Sequence, residues 1–164
     1  MISYSKLAQA SIKELSKRGV ALSDVTTLTT EFLQTHYHFA ADGKRLEEAL
    51  SMVLKRDEVN DIILTALFMD ESAETMPDDN PLKARLARDA NGHNVDEILA
   101  IGLASQFGAA ATVHYGWLDN EKPGLIGVLN DKTDSVNVYI DDILAALVAA
   151  CAMSYLELTG GNHF

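Results

Sequence analysis

The sequence predicts an all-α fold, and three observations carry that expectation. Apolar residues recur at helical spacing in one segment after another. No alternating stretch is long enough for a strand. The breaks between segments hold residues that start and stop helices. Roughly eight or nine helices are expected, with no transmembrane segment, in one compact domain over residues 1–164. A chain of that length buries about two-thirds of its unfolded surface.

Residues 4–18 read as a first helix, with Leu7, Ile12 and Leu15 on one face and Gly19 as its stop. Ser23 or Asp24 suits the cap of a second helix carrying Val25, Leu28, Phe32 and Leu33. That helix ends in Thr35-His36-Tyr37-His38-Phe39. Asp42-Gly43 signals a turn, and Leu46, Leu50 and Val53 mark a third helix. A fourth starts near Asp57 and carries Val59, Ile62, Ile63, Ala66 and Leu67. Met76-Pro77-Asp78-Asp79-Asn80-Pro81 is a break, and Pro81 suits the first turn of a helix over LKARLARDA. Asn91-Gly92 turns the chain into the helix at 95–104. Two short helices jointed at Lys122-Pro123-Gly124 follow Gly108, then a polar loop from Lys132 to Asn137. Gly160-Gly161 closes the last helix.

Composition narrows the function. A hydrophobic content of 48% argues against disorder. Thirteen basic residues against 24 acidic ones leave a formal charge of −11, which repels phosphate backbones, so no nucleic-acid partner is expected. A phosphorylated substrate would need a recruited cation. The single cysteine, Cys151, lies in an apolar run and reads as a small core residue, and it fits a reducing cytoplasm. The opening MISYSKLAQASIKEL has no apolar secretion-signal core. The longest apolar run, Ile143 to Met153, falls short of the roughly 20 residues that span a bilayer. A cytoplasmic protein is the expectation.

Two stretches share one design. In IDDILAALVAACA, residues 140–152, Asp141 and Asp142 open a run of small and aliphatic residues. In VDEILAIGLA, residues 95–104, Asp96 and Glu97 do the same, and Asp141 follows Asp96 by 45 positions. Glu97, Ala100 and Ala104 share a helical stripe, as do Asp142, Ala145 and Ala149. Small residues let helices approach closely. If the two stripes face each other, Glu97 and Asp142 form an inward pair with Asp96 and Asp141 beside them. Four carboxylates together call for a divalent cation, and oxygen-only ligands favour Mg²⁺, with Mn²⁺ as an alternative. The plainer reading is that acids in a first turn oppose the helix dipole, for about 0.3–1 kcal/mol. Repetition within a matched apolar frame weighs against it.

These motifs resemble the phosphatidylglycerophosphatase A family, in its short soluble low-temperature-requirement C-like branch. The resemblance rests on Val95-Asp96-Glu97 and on Asp141-Asp142-Ile143-Leu144-Ala145. It extends through Tyr115-Gly116, Leu118-Asp119, Lys122-Pro123-Gly124 and Leu129-Asn130-Asp131-Lys132. It covers about the last 70 residues well and the first 90 loosely. The resemblance implies Mg²⁺-dependent removal of phosphate from phosphatidylglycerophosphate or a related soluble phosphomonoester. Asp96, Glu97, Asp141 and Asp142 would be the metal and catalytic residues. Lys122 would add positive charge at the phosphate, beside its commoner reading as a solvated surface lysine, and Asn130 would orient the substrate or simply end a helix. Membrane members carry spanning helices and a Pro-Gly-Thr-rich segment; here only Ile62-Ile63-Leu64-Thr65-Ala66-Leu67 stands in that place. A chain of charge −11 also suits an anionic bilayer poorly.

Other readings stay beside this one. Glu58 and Asp61, with Glu47 and Glu48 upstream, are similar to the E-x-x-D element of all-α nucleotide pyrophosphohydrolases, but read first as a solvated face. A non-enzymatic protein of the same fold is a third reading. The small-residue stripes suit subunit contacts as well as a core, so a homo-oligomer is expected. His36 and His38 splay on a helix and His114 sits among apolar residues, so none is assigned a metal. Tyr115 and Trp117 read as packing residues.

Overall fold

The computed structural model describes residues 3–38, 40–86, 94–131 and 135–160. Among them are nine helices and no strand. In chain order these are α1 (Lys6–Lys17), α2 (Leu22–Tyr37), α3 (Gly43–Leu54), α4 (Asp57–Thr75) and α5 (Pro81–Leu86). There follow α6 (Val95–Ser105), α7 (Ala109–Glu121), α8 (Leu125–Asn130) and α9 (Ile140–Leu158). The expected joint at Lys122-Pro123-Gly124 does separate α7 from α8. The turn at Asn91-Gly92 and the end of the LKARLARDA helix lie outside the described residues.

Several helix starts follow from single side chains. Ser5 Oγ accepts from the Ala8 N–H (3.1 Å), so the first helix begins at Lys6. Asp42 Oδ1 accepts from the Arg45 N–H (2.9 Å) and opens α3. The second helix starts earlier than its expected cap at Ser23 or Asp24. Asp24 lies inside the first turn, and its carboxylate reaches back to the Ala21 N–H (2.7 Å). Between α3 and α4, the Asn60 amide donates to the carbonyls of Leu54 and Arg56, both at 2.8 Å, and closes α3.

A helix that is apolar all round is buried all round, and α9 follows that rule. Every residue from Ile140 to Ala152 is buried. Around it pack α2, α3, α4, α6, α7 and α8. Alanines at 145, 146, 149, 150 and 152 let so many neighbours come close, because no bulky side chain holds them off. The apolar side chains form one continuous core.

Helix directions decide which residues share an end of the bundle. Gln106 and Phe107, just past α6, line one cleft with Met153, Ser154 and Glu157 of α9. The C-terminal ends of α6 and α9 are therefore together, and the two helices run parallel. Arg56, at the start of α4, lines the same cleft, stacks over Phe107 (4.4 Å) and donates to the Gln106 carbonyl (2.9 Å). So α4 runs the opposite way, and its far end reaches the start of α9.

That far end carries Asp70. It lies on the buried stripe of α4 with Val59, Ile63, Ala66 and Ala73, and is 0% exposed. Tyr139, the residue before α9, offers no side-chain cap. Asp70 supplies one from across the core: Oδ1 accepts from the Tyr139 N–H (3.1 Å) and Oδ2 from the Ile140 N–H (3.1 Å). Burial pushes its carboxyl up to about 7, against the opposing pull of those N–H groups and of Arg18.

Asp70→Ala is expected to cost about 1–3 kcal/mol of folding stability in denaturant titration, because it orphans buried donors. Asp70→Asn keeps an acceptor and removes the titration. Folded Asp70 holds its proton up to about pH 7, above the ordinary carboxylate range in which the unfolded chain has lost it. Stability of the native protein should therefore fall, relative to the Asn variant, as pH rises from 4 to 7. An unchanging difference between the two proteins over that range would remove the titration from Asp70.

Candidate functional site

The end of the bundle that Asp70 caps holds most of the residues singled out in the sequence. Because α6 and α9 run parallel, their first turns lie at the same end. α7 runs back between them from Gly108 and brings Tyr115, Asp119 and Lys122 to that end. Asp141 and Asp142 are each 4% exposed and Asp96 is 6% exposed.

Lys122 ties these elements together. Its Nζ lies 2.9 Å from Asp119 Oδ1, 2.9 Å from Asp141 Oδ2 and 4.0 Å from Asp142 Oδ1. Burial works to lower its pKa, but the hydrogen bonds and charges of Asp141 and Asp119 outweigh burial and raise it. Burial raises Asp141, with Lys122 opposing. Burial, the Asp141 charge and a hydrogen bond with Asp119 push Asp142 up to about 9. Burial and the neighbouring charge thus favour the neutral form of Asp142.

The backbone that delivers Lys122 is unusual. It caps α7 in the left-handed conformation (φ 43°, ψ 56°), where L residues are rare. That turn sends the chain back over itself, so that a Cβ on Gly127 would lie 2.6 Å from the Lys122 carbonyl oxygen. Only glycine fits there. A non-glycine residue held in such a conformation points to a site where geometry outweighs local preference.

Tyr115 marks the middle of the group. Its ring is 3% exposed and its hydroxyl is buried with no hydrogen-bond partner among the described residues. Burial raises its pKa, and so do the charges of Asp142, Asp119, Glu97 and Asp96. Both acidic pairs therefore act on one buried hydroxyl within one chain. Tyr139, 0% exposed, feels Asp96 and Asp70 in the same way and is pushed up to about 12.

The arrangement departs from the expected one in three respects. On α6 the inward residue is Asp96, not Glu97, which is exposed. The buried stripe of α6 runs Asp96, Ala100, Leu103, Ala104, so the helix is turned by one residue from the stripe read through Glu97. Asn130 is exposed at the end of α8 and donates to Asp131 Oδ1 (3.0 Å) rather than to the acidic group. Tyr115 and Asp119 carry no site role in the sequence reading, although the tyrosine hydroxyl is buried without a partner among the described residues and the aspartate binds Lys122. Spacing held a hint of the latter: Asp119 and Lys122 lie three apart, so they share a helical face.

Carboxylates alone suit a hard divalent cation, and the buried Tyr115 hydroxyl has no hydrogen-bond partner among the described residues. Among the described residues, no three acidic, imidazole or thiol groups converge closely enough to hold an ion as the side chains stand. The Lys122 ammonium takes the position between Asp119 and Asp141.

The remaining candidates serve the fold. Glu58 and Asp61 lie on an exposed face. His36 packs on Phe32 (ring centroids 4.4 Å) and edge-on to Trp117 (4.2 Å). His114 Nε2 pairs with the Tyr37 hydroxyl at 3.1 Å. Cys151 is buried, and burial pushes its thiol up to about 12.

The sequence pattern of the phosphatidylglycerophosphatase A family matches residues 19–157. The chain belongs to that family. The match takes in more of the N-terminal half than the short motifs suggested. The uncharacterized protein YutG of Bacillus subtilis (strain 168) is 33% identical over 150 residues, covering 91% of this chain and 90% of its own. The family fold is also seen in the low temperature requirement C protein from Listeria monocytogenes. That structure has a TM-score of 0.87 and 29% identity over 99% of this chain and 100% of its own. A protein of unknown function from Bacillus stearothermophilus is similar at TM-score 0.86 and 30% identity, over 93% and 99% of the two chains. The branch read from the motifs agrees with the Listeria likeness. No helix among the described residues is long and apolar enough to cross a membrane.

Two glycine substitutions separate the site's geometry from ordinary helix preference. Gly127→Ala is expected to destabilise by roughly 1–3 kcal/mol, as overpacking does, because its Cβ meets backbone. Gly116→Ala, mid-helix in α7 with nothing within 4 Å of its Cβ, should stabilise by roughly 0.5–1 kcal/mol. Thermal denaturation of both variants checks the contrast.

Proposed function

We propose that this chain is a Mg²⁺-dependent phosphomonoester hydrolase of the phosphatidylglycerophosphatase A type. What supports the reading is Lys122 bonded to Asp119 and Asp141 beside Asp142, with the charges of Asp142, Asp96 and Glu97 all acting on the buried Tyr115 hydroxyl, in a chain matching that family over residues 19–157.

Asp96, Asp141 and Asp142 would hold the cation, with Asp119 beside them and Glu97 at the exposed edge. A bound divalent cation supplies charge to offset a phosphoryl group and lowers the pKa of a ligated water. The chain's own residues do the rest. Lys122, half out of the site at 28% exposure, offers a positive charge to a phosphate arriving from solvent. The Tyr115 hydroxyl can donate to an oxygen held among the carboxylates. Burial of the acids excludes water beyond the reacting one, which strengthens each charge contact.

The substrate class is a phosphorylated lipid head group or a soluble phosphomonoester. In favour of the lipid, Val95, Ile98 and Ile101 are exposed at 46%, 63% and 42% along the outer face of α6, the helix whose first turn carries Asp96. An apolar face beside a phosphate site suits an acyl chain. The charge of −11 favours the soluble substrate.

Purified protein with Mg²⁺ or Mn²⁺ should release inorganic phosphate, and a chelator should stop it. Asp141→Asn, Asp142→Asn and Asp96→Asn are each expected to lower turnover by roughly 10²-fold or more, the scale of losing one charge-stabilising group. Glu97→Gln should be milder, since Glu97 faces solvent. Full activity in the three Asn variants would sink the assignment. Comparing phosphatidylglycerophosphate in mixed micelles with short-chain phosphomonoesters decides the substrate class.

A further inference from the structure

Lys122 is bonded to the carboxylates that the proposed function gives to a divalent cation. Its Nζ bridges Asp119 of α7 and Asp141 of α9 at 2.9 Å each. The ammonium and a metal ion cannot both occupy that position, because both are held by the same oxygens and repel each other. One must leave when the other enters.

Three features show which part of Lys122 is free to move. Its backbone is fixed by the left-handed cap and by the close pass of Gly127, so a shift must come from the side chain. That side chain is 28% exposed, against 6% for the side chains of Asp141 and Asp142, so the ammonium sits on the solvent side of the group. The Tyr115 hydroxyl, more than nine-tenths buried and without a partner among the described residues, feels the charges of Asp142, Asp119 and Asp96 and is an orphaned polar atom that a further ligand would satisfy.

We propose that Lys122 is the resident counter-ion of the acidic site, and that it leaves Asp141 when a divalent cation arrives, turning its ammonium toward the phosphate. The inference rests on the cation-dependent reading above. It makes binding ordered: phosphate meets a free ammonium only after the cation is in place. One ammonium carries one positive charge and the incoming ion two, so the exchange favours the ion among several carboxylates. The cost of evicting Lys122 is paid from the ion's affinity, as in any equilibrium where the competent form is a fraction of the whole.

The test compares metal-free native protein with Lys122→Gly and Lys122→Arg by calorimetric titration with Mn²⁺. Glycine adopts the left-handed cap without strain, and Lys122→Asn, which also tolerates it, is a second variant should the first misfold. Removing the ammonium should tighten Mn²⁺ binding by about tenfold, the inverse of the fraction of molecules in which Lys122 has already left Asp141. Lys122→Arg should bind no tighter than the native protein. Inorganic phosphate should bind the native protein with Mn²⁺ present and not without it, and should not bind Lys122→Gly in either case. Equal or weaker Mn²⁺ binding by Lys122→Gly overturns the counter-ion role and leaves the cation reading standing. Absence of Mn²⁺ binding in both native and glycine proteins overturns the two together.

Discussion

The structure turns on the burial of two adjacent carboxylates at the first turn of its most buried helix. Asp141 and Asp142 are almost out of water, on a helix with no exposed face from Ile140 to Ala152. An isolated carboxylate in such a place neutralises itself or acquires a partner. Both outcomes are present side by side. Asp141 has Lys122, and burial with the Asp141 charge beside it shifts Asp142 toward its neutral form. Most of what is unusual in the fold serves that arrangement: a left-handed lysine, a glycine that no other residue can replace, and a helix cap borrowed from a distant aspartate.

The two ends of the bundle contrast. At the C-terminal end of α9, Arg56 stacks on Phe107 and satisfies a carbonyl, and the Asn60 amide N–H closes a helix while its Oδ1 has no partner among the described residues. At the N-terminal end, a buried tyrosine hydroxyl has none among the described residues and two aspartates have raised pKa values. Proteins break local rules where function requires it and obey them elsewhere. The raised carboxylates coincide with the acidic motifs of the family.

The doubled acidic frame was legible because it is a repetition. An offset of 45 positions between two identical patterns means that two helices present the same end, provided they run parallel, and here they do. The helix count was legible for the usual reason, periodicity interrupted by Pro, Gly and Asn. What was not legible was rotation about the helix axis. Ala100 and Ala104 belong to a stripe headed by Glu97 and equally to one headed by Asp96, so small residues on both flanks left the choice to tertiary packing. Asp70 and Asp119 stayed hidden because an acid on an amphipathic helix ordinarily faces water. Asp70 did carry a signal: it falls on the stripe of Ile63, Ala66 and Ala73, where a charge has no place unless it is doing something. The Tyr115 hydroxyl could not be read at all, since a tyrosine among apolar neighbours packs equally well with or without acids at its tip.

The choice of lysine at 122 follows from the same constraint. An arginine in that position would grip Asp119 and Asp141 through a planar fork and stay charged whatever its surroundings. Its several parallel hydrogen bonds would make it a permanent partner, good for stability and poor for exchange. Lysine offers a compact charge on a flexible stem, held by single contacts of 2.9 Å. It neutralises the carboxylates well enough for α9 to be buried, yet lets them go one contact at a time. If the site takes a cation as proposed, folding without it and then admitting it would call for a counter-ion of that kind. Strain belongs in the backbone and mobility in the side chain, and Lys122 divides them in that way.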